Sequence, residues 1–296
     1  MTLPVYTTVG EFRAVCDAVR RQGLSLGLVP TMGALHAGHL ALVELARRHA
    51  AKVAVTVFVN PTQFAPGEDL TRYPRVLEQD TEKCERAGAF CVFAPSEGEM
   101  YAADDATRVR VGRLSQGLCG ASRPHHFEGV ATVVTKLFAV AGPCVAAFGR
   151  KDYQQLKIVE RLVRDLLLPV RIASCPTVRE ADGLAMSSRN AYLTPDARRR
   201  AVSLSRGLAK AAAAFDRGER GVASLELIVK KELQTASLVE DYAQVVDAES
   251  LSRLPQDGLV ESKAVLAVAA FVDSARLIDN VVLGEDHAPF TDGAAR

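Results

Sequence analysis

The fold class follows from one stretch of sequence, Leu24-Ser25-Leu26-Gly27-Leu28-Val29-Pro30-Thr31-Met32-Gly33-Ala34-Leu35-His36-Ala37-Gly38-His39-Leu40. The apolar run 24–29 predicts a buried strand, and Leu40–Ala50 predicts a helix. A strand, a tight loop and a helix N-terminus together offer backbone N–H groups and a helix dipole to a phosphate. Gly38 lets a phosphate approach the backbone because it has no Cβ. His36 and His39 are able to donate hydrogen bonds to phosphoryl oxygens.

Two other interpretations of the histidine pair remain open from this stretch alone. The pair could cap and pack a helix start without any ligand, or it could bind a metal ion. Metal binding usually needs a third ligand, and no H-x-x-x-H, C-x-x-C or nearby acidic cluster supplies one.

Strand and helix patterns alternate on both sides of this stretch, which predicts a doubly wound (Rossmann-like), mostly parallel α/β sheet. The short strands lack polar alternation, as expected for burial on both faces. The predicted strands are Leu24–Val29, Val53–Val59, Ala89–Phe93, Thr107–Val111, Cys144–Phe148 and Val170–Ser174. The predicted helices are Glu11–Arg21, Leu40–Ala50, Pro74–Arg86, Gly129–Val140 and Tyr153–Leu167.

The pattern changes after Val178 and predicts a second, smaller α+β domain. Thr194-Pro195 is a typical helix start, with a capping threonine and proline at the first position. The predicted elements are a long helix to about Arg217, a helix at Ala223–Ala236, and strands at Tyr242–Val246, Ala264–Phe271 and Arg276–Leu283. We therefore predict domains at 1–177 and 178–296.

Composition excludes several functional classes. The chain has 296 residues, 48% of them hydrophobic, and its 36 basic and 35 acidic side chains leave a net charge of +1. This balance argues against a nucleic-acid binder, which normally carries a basic stripe. The apolar runs are too short or broken to span a membrane, and no secretory signal pattern is present. The six scattered cysteines are typical of reduced thiols, so we expect a cytoplasmic protein.

Polar side chains follow four predicted strands, at the edge where doubly wound sheets bind ligands. His36 and His39 follow the first strand, and Asn60-Pro61-Thr62-Gln63-Phe64 follows the second. The amides of Asn60 and Gln63 either satisfy the turn itself or bind a polar, uncharged part of a substrate.

The third loop, Gly149-Arg150-Lys151-Asp152-Tyr153-Gln154-Gln155, opens a predicted helix. Asp152 is able to cap that helix, whereas a lysine is unfavourable at its positive end. A lysine at this position is therefore better explained if Lys151 binds an anionic partner. Gln155 rather than Gln154 lies on the i+4 face of Lys151, so we expect Gln155 to face the site.

The fourth loop contains Met186-Ser187-Ser188-Arg189-Asn190. It is either a solvated linker or a polyphosphate site, since arginine suits bidentate phosphate contacts. Elsewhere, Arg123 is able to bind an anion, and the simplest interpretation of His125 and His126 is structural. Acidic residues at 69, 80 and 82 are interpreted as solvated charges.

Seven motifs together resemble the pantoate–β-alanine ligase family over nearly the whole chain. They are Pro-Thr-Met-Gly-Ala-Leu-His-Ala-Gly-His (30–39), Phe-Val-Asn-Pro-Thr-Gln-Phe (58–64), Tyr-Pro-Arg (73–75), Gly-Ala-Ser-Arg-Pro (120–124), His-Phe (126–127), Lys-Asp-Tyr-Gln-Gln (151–155) and Arg-Glu-Ala-Asp-Gly-Leu-Ala-Met-Ser-Ser-Arg-Asn (179–190). The family belongs to the nucleotidyltransferases with a HIGH-type and a KMSKS-type loop, which resemble 36–39 and 186–190 here.

The resemblance implies a two-step ligation. The pantoate carboxylate attacks the α-phosphorus of ATP to give pantoyl adenylate and pyrophosphate, and the β-alanine amine then displaces AMP to give pantothenate. It also implies Mg²⁺ held mainly by triphosphate oxygens and water, a homodimer, and a C-terminal domain acting as a lid.

The resemblance assigns roles residue by residue. His36 and His39 contact the ATP phosphates, with His39 as proton donor. Lys151 and Arg189 neutralise phosphoryl oxygens, and Ser187 and Ser188 add hydroxyl donors. The remaining nucleotide-binding positions are Pro30, Thr31, Met32, Gly33, Ala34, Leu35, Ala37, Gly38, Gly149, Arg150, Asp152, Val178 and Met186. The substrate-binding positions are Gln63 and Gln155 for pantoate, with Asn60 and Met32 beside them, and Gln63 again for β-alanine. No residue is implied as a metal ligand.

Three positions depart from the family pattern: Cys119 replaces a common glutamate, His125 a common glycine, and Arg150 a common acidic residue. Two alternatives to the ligase stay open from the sequence. One is another small-molecule nucleotidyltransferase of the superfamily, such as a cytidylyltransferase. The other is a non-enzymatic nucleotide-binding module with a C-terminal interaction domain.

Overall fold

The structure, a computed structural model, describes residues 2–287; Met1 and residues 288–296 lie outside the described part. Its strands are β1 (Val5–Tyr6), β2 (Leu26–Thr31), β3 (Lys52–Val57), β4 (Cys91–Phe93), β5 (Cys144–Gly149), β6 (Val170–Cys175), β7 (Val239–Asp247), β8 (Ala264–Val272) and β9 (Ala275–Leu283). Its α-helices are α1 (Val9–Arg21), α2 (Ala37–His49), α3 (Leu77–Arg86), α4 (Glu97–Met100), α5 (Cys119–Ser122), α6 (His126–Ala141), α7 (Tyr153–Asp165), α8 (Pro195–Ala201), α9 (Ser203–Asp216) and α10 (Val222–Thr235). None of the helices in this part of the chain is long and apolar enough to cross a membrane.

The described residues form two compact units. The first comprises the chain up to Gly112, Arg123–Arg150 and Gln155–Pro176, and the second comprises Arg113–Ser122, Lys151–Gln154 and the chain from Thr177 onward. Within the second unit, the segment Lys151–Gln154 is bonded to distant residues: Gln154 Nε2 donates to Leu114 O (2.7 Å), and Tyr153 Oη donates to Ala248 O (3.1 Å). The predicted domains 1–177 and 178–296 have a single boundary and stay a prediction.

The first unit is built on a six-stranded sheet in the order β1-β4-β3-β2-β5-β6, with every pairing parallel. Successive residues of β2 enter different cores. Leu28 packs with α1 and α6 residues, and Val29 packs with α2 residues. The predicted doubly wound parallel sheet is confirmed. The strand order reverses between β2 and β5, and sheets of this kind bind ligands at the carboxyl ends beside such a reversal.

Two local predictions in the first unit are wrong, and one strand was not predicted. The helix predicted at Pro74–Arg86 begins only at Leu77, since its first i→i−4 bond runs from Asp80 N–H to Val76 O. Thr107–Val111 is not a strand, because Val109 N–H donates to the Thr132 hydroxyl (3.0 Å) and not to a neighbouring strand. The strand β1, which pairs with β4, was not predicted, because its two residues are too few to show a strand pattern in the sequence.

The second unit contains the antiparallel sheet β7-β8-β9 and the helices α8, α9 and α10. Leu266 and Val268 of β8 form one core with Leu208 of α9 and Val229 of α10. The predicted smaller α+β unit is confirmed. The predicted single helix to Arg217 is two helices, interrupted at Val202, where the Ser205 hydroxyl donates to the Val202 carbonyl (3.0 Å).

Candidate functional site

The loop between β2 and α2 carries the first group of predicted site residues. Gly33 and Ala34 both have positive φ angles, +83° and +51°, so the backbone turns sharply directly after the strand. Thr31 supports the turn, because its hydroxyl donates to Thr56 O (2.6 Å) and accepts from Gly33 N–H (3.1 Å). The predicted residues Ala37 and Gly38 then form the first turn of α2.

A buried carboxylate holds this loop. Asp80 of α3 is 0% exposed and accepts hydrogen bonds from Ala34 N–H and Leu35 N–H, both at 2.8 Å. A Cβ on Gly33 would lie 2.9 Å from Asp80 Oδ2, which explains the glycine there. The interpretation of Asp80 as a solvated charge is therefore wrong. Its spacing from the buried Cys84 by one helical turn was the available signal, since it places Asp80 on the buried face of α3.

His36 and His39 are brought together at the N-terminus of α2. Their ring centroids are 4.0 Å apart, and His36 is the N-cap residue. The His36 N–H donates to His39 Nδ1 (3.3 Å), so Nδ1 is the acceptor nitrogen and the neutral His39 ring carries its proton on Nε2. The pair thus places two imidazole rings at the positive end of a helix, where anions are stabilised.

The turn Asn60–Gln63 follows β3 and is tied together by its own amides. Asn60 is 1% exposed, and its Nδ2 donates to Gln63 Oε1 (3.2 Å) and to Gly129 O (3.1 Å). Its Oδ1 accepts from Tyr101 Oη (2.8 Å). Burial raises the pKa of Tyr101, against a lowering by its contact with Thr62, so the phenol stays protonated as that donor. Asn60 therefore fixes the Gln63 side chain, and its predicted contact with substrate stays a prediction.

The main-chain oxygen of Gln63 is contacted by Arg123, which precedes α6, and by His126, the first residue of α6. Arg123 Nη2 donates to Gln63 O (3.2 Å), and His126 Nδ1 lies 2.9 Å from the same oxygen. Arg123 also forms a two-pronged pair with Glu68, at 2.7 and 2.6 Å. Burial alone would raise the pKa of Glu68, but the hydrogen bond and charge of Arg123 hold it below its ordinary value. The anion predicted for Arg123 is thus a carboxylate of this chain.

Close packing explains how α6 reaches this turn. A Cβ on Gly129 would lie 2.4 Å from Thr62 O and 2.7 Å from Gln63 N, so only glycine allows this approach. The amide of Gln63 in turn contacts Met32, with Nε2 2.9 Å from Sδ. Two predicted substrate-binding residues, from the loops after β2 and β3, are therefore in contact.

The third predicted loop is divided between the two units. In the first unit, Gly149 ends β5, Arg150 begins a 3-10 turn, and Gln155 is a partly buried residue of α7. In the second unit, the amide of Gln154 donates to Leu114 O (2.7 Å) and Gly117 O (2.8 Å) and accepts from Cys119 N–H (3.1 Å). Gln154 is thus occupied with a loop, in agreement with Gln155 as the site candidate.

Lys151 and Asp152 lie in the 3-10 turn that precedes α7. Lys151 Nζ lies 3.7 Å from Asp152 Oδ2, so the neighbouring aspartate supplies part of the negative charge expected around this lysine. The main-chain oxygen of Lys151 accepts from Asn280 Nδ2 (2.7 Å). The lysine is therefore anchored through its backbone, and its side chain is 19% exposed.

The fourth loop is an ordered hairpin and not a solvated linker. Arg179 and Ala185 form a β-bridge, and Met186 N–H donates to Val178 O (3.0 Å). The bond that closes the hairpin thus joins Val178 and Met186, which are both predicted nucleotide-binding residues. A 3-10 turn at Ser188–Tyr192 follows, and the Ser187 hydroxyl accepts from Arg189 N–H (3.3 Å).

Two residues without a predicted role fix this turn. Asn190 is 9% exposed, and its Nδ2 donates to Glu180 Oε1 (2.6 Å) and Ala185 O (3.0 Å). Glu180 Oε2 also accepts from Arg198 Nη2 (2.5 Å). Both lie inside the quoted motif 179–190, but nothing in their spacing distinguishes a residue that holds the loop from one that contacts a ligand.

The three departures from the family pattern lie in ordinary surroundings. Cys119 is buried in α5, with Sγ 3.4 Å from Arg276 Nη1, and Arg276 pairs with Asp241 (2.6 Å). His125 is exposed at the start of α6, and Arg150 lies in the 3-10 turn. Within residues 2–287, no group of three or more histidine, cysteine, aspartate or glutamate side chains is arranged to hold a metal ion.

Comparison with known proteins decides the family. The family model described as pantoate-beta-alanine ligase matches residues 4–282. The chain belongs to the pantoate–β-alanine ligase family. It is 53% identical to a pantothenate synthetase of Myxococcus xanthus over 96% of this chain and 97% of that protein, and 50% identical to one of Moorella thermoacetica over 93% and 97%.

Solved structures of the family agree with the fold. A pantothenate synthetase from Thermus thermophilus matches with a TM-score of 0.88 and 46% identity, covering 95% of this chain and 99% of that one. A pantoate–β-alanine ligase from Francisella tularensis, complexed with beta-gamma ATP and β-alanine, matches with a TM-score of 0.77 and 29% identity, covering 96% and 99%. The family, ligase activity and place in pantothenate biosynthesis predicted from the motifs are confirmed, and they exclude the non-enzymatic alternative.

Proposed function

We propose that this ligase joins pantoate to β-alanine in two steps, with ATP as co-substrate and pantoyl adenylate as the intermediate. A pantoate carboxylate oxygen attacks the α-phosphorus, and pyrophosphate leaves with the electrons of the broken P–O bond. The amine of β-alanine then attacks the activated carbonyl, loses a proton and expels AMP. Support comes from the family match and from the Francisella relative, which is complexed with beta-gamma ATP and β-alanine.

The observation that carries the proposal is the presentation of His36 and His39 at the start of α2. An Nε2–H donor on His39, fixed by the His36 N–H on Nδ1, is suited to a phosphoryl oxygen that gains charge as the carboxylate attacks. The role of proton donor, which the family resemblance gives to His39, is part of this proposal. The preorganisation of His39 comes from Asp80, which holds the loop from the other side.

The second unit carries the cationic and hydroxyl groups that we propose as further phosphate ligands. Lys151 and Arg189 neutralise phosphoryl oxygens, and Ser187 and Ser188 add donors. Mg²⁺ bound to the nucleotide would add further neutralisation and would be coordinated mainly by triphosphate oxygens and water. The donor set fits a nucleotide that brings its own metal, because its members are cations, hydroxyls and imidazoles and not carboxylates.

Gln63 is the proposed ligand of pantoate and β-alanine, together with Gln155 for pantoate. A neutral amide binds hydroxyl and carboxylate oxygens without neutralising the attacking carboxylate, which keeps that oxygen nucleophilic. Asn60 and Met32 contact Gln63 and keep its amide in place.

Isotope exchange tests the proposal. Labelled pyrophosphate should exchange into ATP when pantoate is present and β-alanine is absent, because the first step is then reversible on the enzyme. Absence of exchange under these conditions would contradict an adenylate intermediate. Exchange of CTP in place of ATP would favour a cytidylyltransferase.

Replacement of Lys151 tests the assignment of the cation. Lys151→Ala should lower the rate of this exchange by about 100-fold, since one charge facing the developing phosphoryl charge is lost. The reaction of preformed pantoyl adenylate with β-alanine should be affected much less. An effect confined to the β-alanine step would contradict the assignment.

A homodimer and a cytoplasmic location are implied by the family resemblance and remain proposals. Light scattering on the purified protein should give about twice the chain mass of 31.8 kDa. A mass equal to that of one chain at micromolar concentration would contradict the dimer.

A further inference from the structure

Two adjacent residues of β9, Asp279 and Asn280, bind both segments of the second unit that carry proposed phosphate ligands. Asp279 accepts from Arg179 Nη1 (2.6 Å) and Nη2 (3.1 Å), at the base of the hairpin that precedes Ser187. Asn280 Nδ2 donates to Lys151 O (2.7 Å). Neither residue has a role in the two-step reaction described above.

Strand geometry explains how one short segment reaches two others. Neighbouring residues of a strand point to opposite faces of the sheet. Asp279 alternates with Leu277 and Val281, which lie in the core of the second unit, so its carboxylate is on the core face. Asn280 is on the opposite face, where it meets the Lys151 turn. The distance between the two segments is thus set by a single strand.

The Asp279 contact is buried and specific in orientation. The side chains of Arg179 and Asp279 are 7% and 2% exposed, so water screens their charges little. The Asp279 carboxylate also accepts from Asn280 N–H (2.8 Å), and Arg179 Nη1 donates to Gly183 O (3.1 Å). A guanidinium that forms a bidentate pair with one carboxylate has little freedom to rotate.

The position of Arg179 determines the positions of Ser187 and Arg189, which follow the hairpin. Arg179 bridges Ala185, and the next residue, Met186, donates to Val178 O (3.0 Å). Ser187 comes directly after this last bond of the hairpin. A shift of Arg179 would therefore move Ser187 and Arg189 with it.

We propose that Asp279 and Asn280 are positioning residues that keep Lys151 and the Ser187–Arg189 turn in a fixed relation while the adenylate forms. This inference rests on the proposed function, which makes Lys151, Ser187 and Arg189 ligands of the phosphates. Charge stabilisation requires all of these groups at their places together, and a displacement of about 1 Å is enough to slow a reaction about 100-fold.

The test measures pantoate-dependent exchange of pyrophosphate into ATP in variants of both residues. Asn280→Ala and Asp279→Asn should each lower the exchange rate by about 10- to 100-fold and raise KM for ATP. In the complete reaction, which contains β-alanine, KM for β-alanine should stay within about twofold of the wild-type value, a split that general unfolding would not produce.

Matched controls remove similar contacts elsewhere in the same unit. Gln256→Ala deletes an amide bond to Glu226 (2.9 Å), and Asp273→Asn deletes a pair with Arg200 (2.6 Å). Both controls should exchange at the wild-type rate. Where Asn280→Ala does not fold, Asn280→Asp, which keeps the size but loses the N–H donor, decides the matter.

A double-mutant cycle separates positioning from a general structural effect. If Asn280 acts through Lys151, Asn280→Ala should lower exchange by less than about twofold in a Lys151→Ala background. If the losses of Asn280→Ala and Lys151→Ala are additive in the double variant, or if a folded Asn280→Ala exchanges at the wild-type rate, the positioning role is overturned and the proposed function is not. Absence of exchange by the wild type would overturn the proposed function and this role with it.

Discussion

Two of the segments that carry proposed phosphate ligands are held in different ways. The loop before His36 depends on one fully buried carboxylate, Asp80, which binds two backbone N–H groups. The turn at Ser187–Arg189 depends on several side chains, with Asn190 bound to Glu180 and Arg179 bound to Asp279. A loop with one dominant, fully buried anchor should be sensitive to one substitution, whereas a loop with several comparable anchors should lose activity in smaller steps.

The largest effect is expected from Asp80→Ala. The substitution removes the acceptor of the Ala34 and Leu35 N–H groups. It should therefore lower the free energy of unfolding by about 2–4 kcal/mol. Pyrophosphate exchange should fall by at least about 100-fold, because the histidine loop loses its support. The measurements are urea unfolding and the exchange assay.

Glu78→Gln is the matched control, since Glu78 lies exposed on the same helix. It should behave as the wild type in both measurements. Near-normal exchange by Asp80→Ala would show that the loop does not depend on this carboxylate, and the contrast between the two segments would fail.

A smaller effect is expected from Asn190→Ala. This variant loses the bonds to Glu180 and Ala185, but the hairpin bond from Met186 to Val178 and the Arg179 pair remain. Exchange should fall by about 10-fold, roughly 1.4 kcal/mol of transition-state stabilisation. A loss as large as that of Asp80→Ala would mean that this turn also has a single anchor.

The next effect concerns the pair of Arg123 and Glu68, and it depends on pH. The folded-state pKa of Glu68 is lowered, so the pair stabilises the fold fully above the unfolded-state pKa and loses this contribution as pH falls through the folded-state value. Arg123→Gln should reduce the unfolding free energy by about 1 kcal/mol at neutral pH. Urea unfolding should show this difference shrinking in acid, and a difference that grows as the pH falls would contradict the assignment.

The smallest effect is expected from Lys83→Met. Lys83 Nζ donates to Leu35 O (2.7 Å), which adds a second, half-buried contact to the loop that Asp80 holds. A single bond of this kind contributes about 0.5–1.5 kcal/mol, so exchange should fall by only about threefold. A loss near that of Asp80→Ala would show that the loop depends on the lysine as much as on the aspartate.

The sequence predicted what depends on local pattern and on motifs that stand together. The strands around β2 and β5 were recognisable from short apolar runs, and the His36–His39 motif identified the loop that follows the first of them. The strand β1 was missed because two residues carry no periodicity, and Pro74 misplaced the start of α3. Thr107–Val111 has the composition of a strand, but its backbone bonds to a helix side chain.

The residues that hold the site could not be found in this way. Asp80 binds Ala34 across 46 positions of sequence, and Asp279 binds Arg179 across 100. A motif shows that residues belong together in one segment, but it carries no information about a partner on a distant helix or strand. For this reason Asp80, which was interpreted as a solvated charge, is in fact a buried anchor.

The most direct test of the account is the fate of ¹⁸O from a labelled pantoate carboxylate. If the carboxylate attacks the α-phosphorus, one carboxylate oxygen stays on that phosphorus when β-alanine displaces AMP. Mass spectrometry after complete turnover should therefore find one ¹⁸O in AMP and none in pyrophosphate. Label in pyrophosphate, or unlabelled AMP formed together with pantothenate, would contradict the adenylate mechanism.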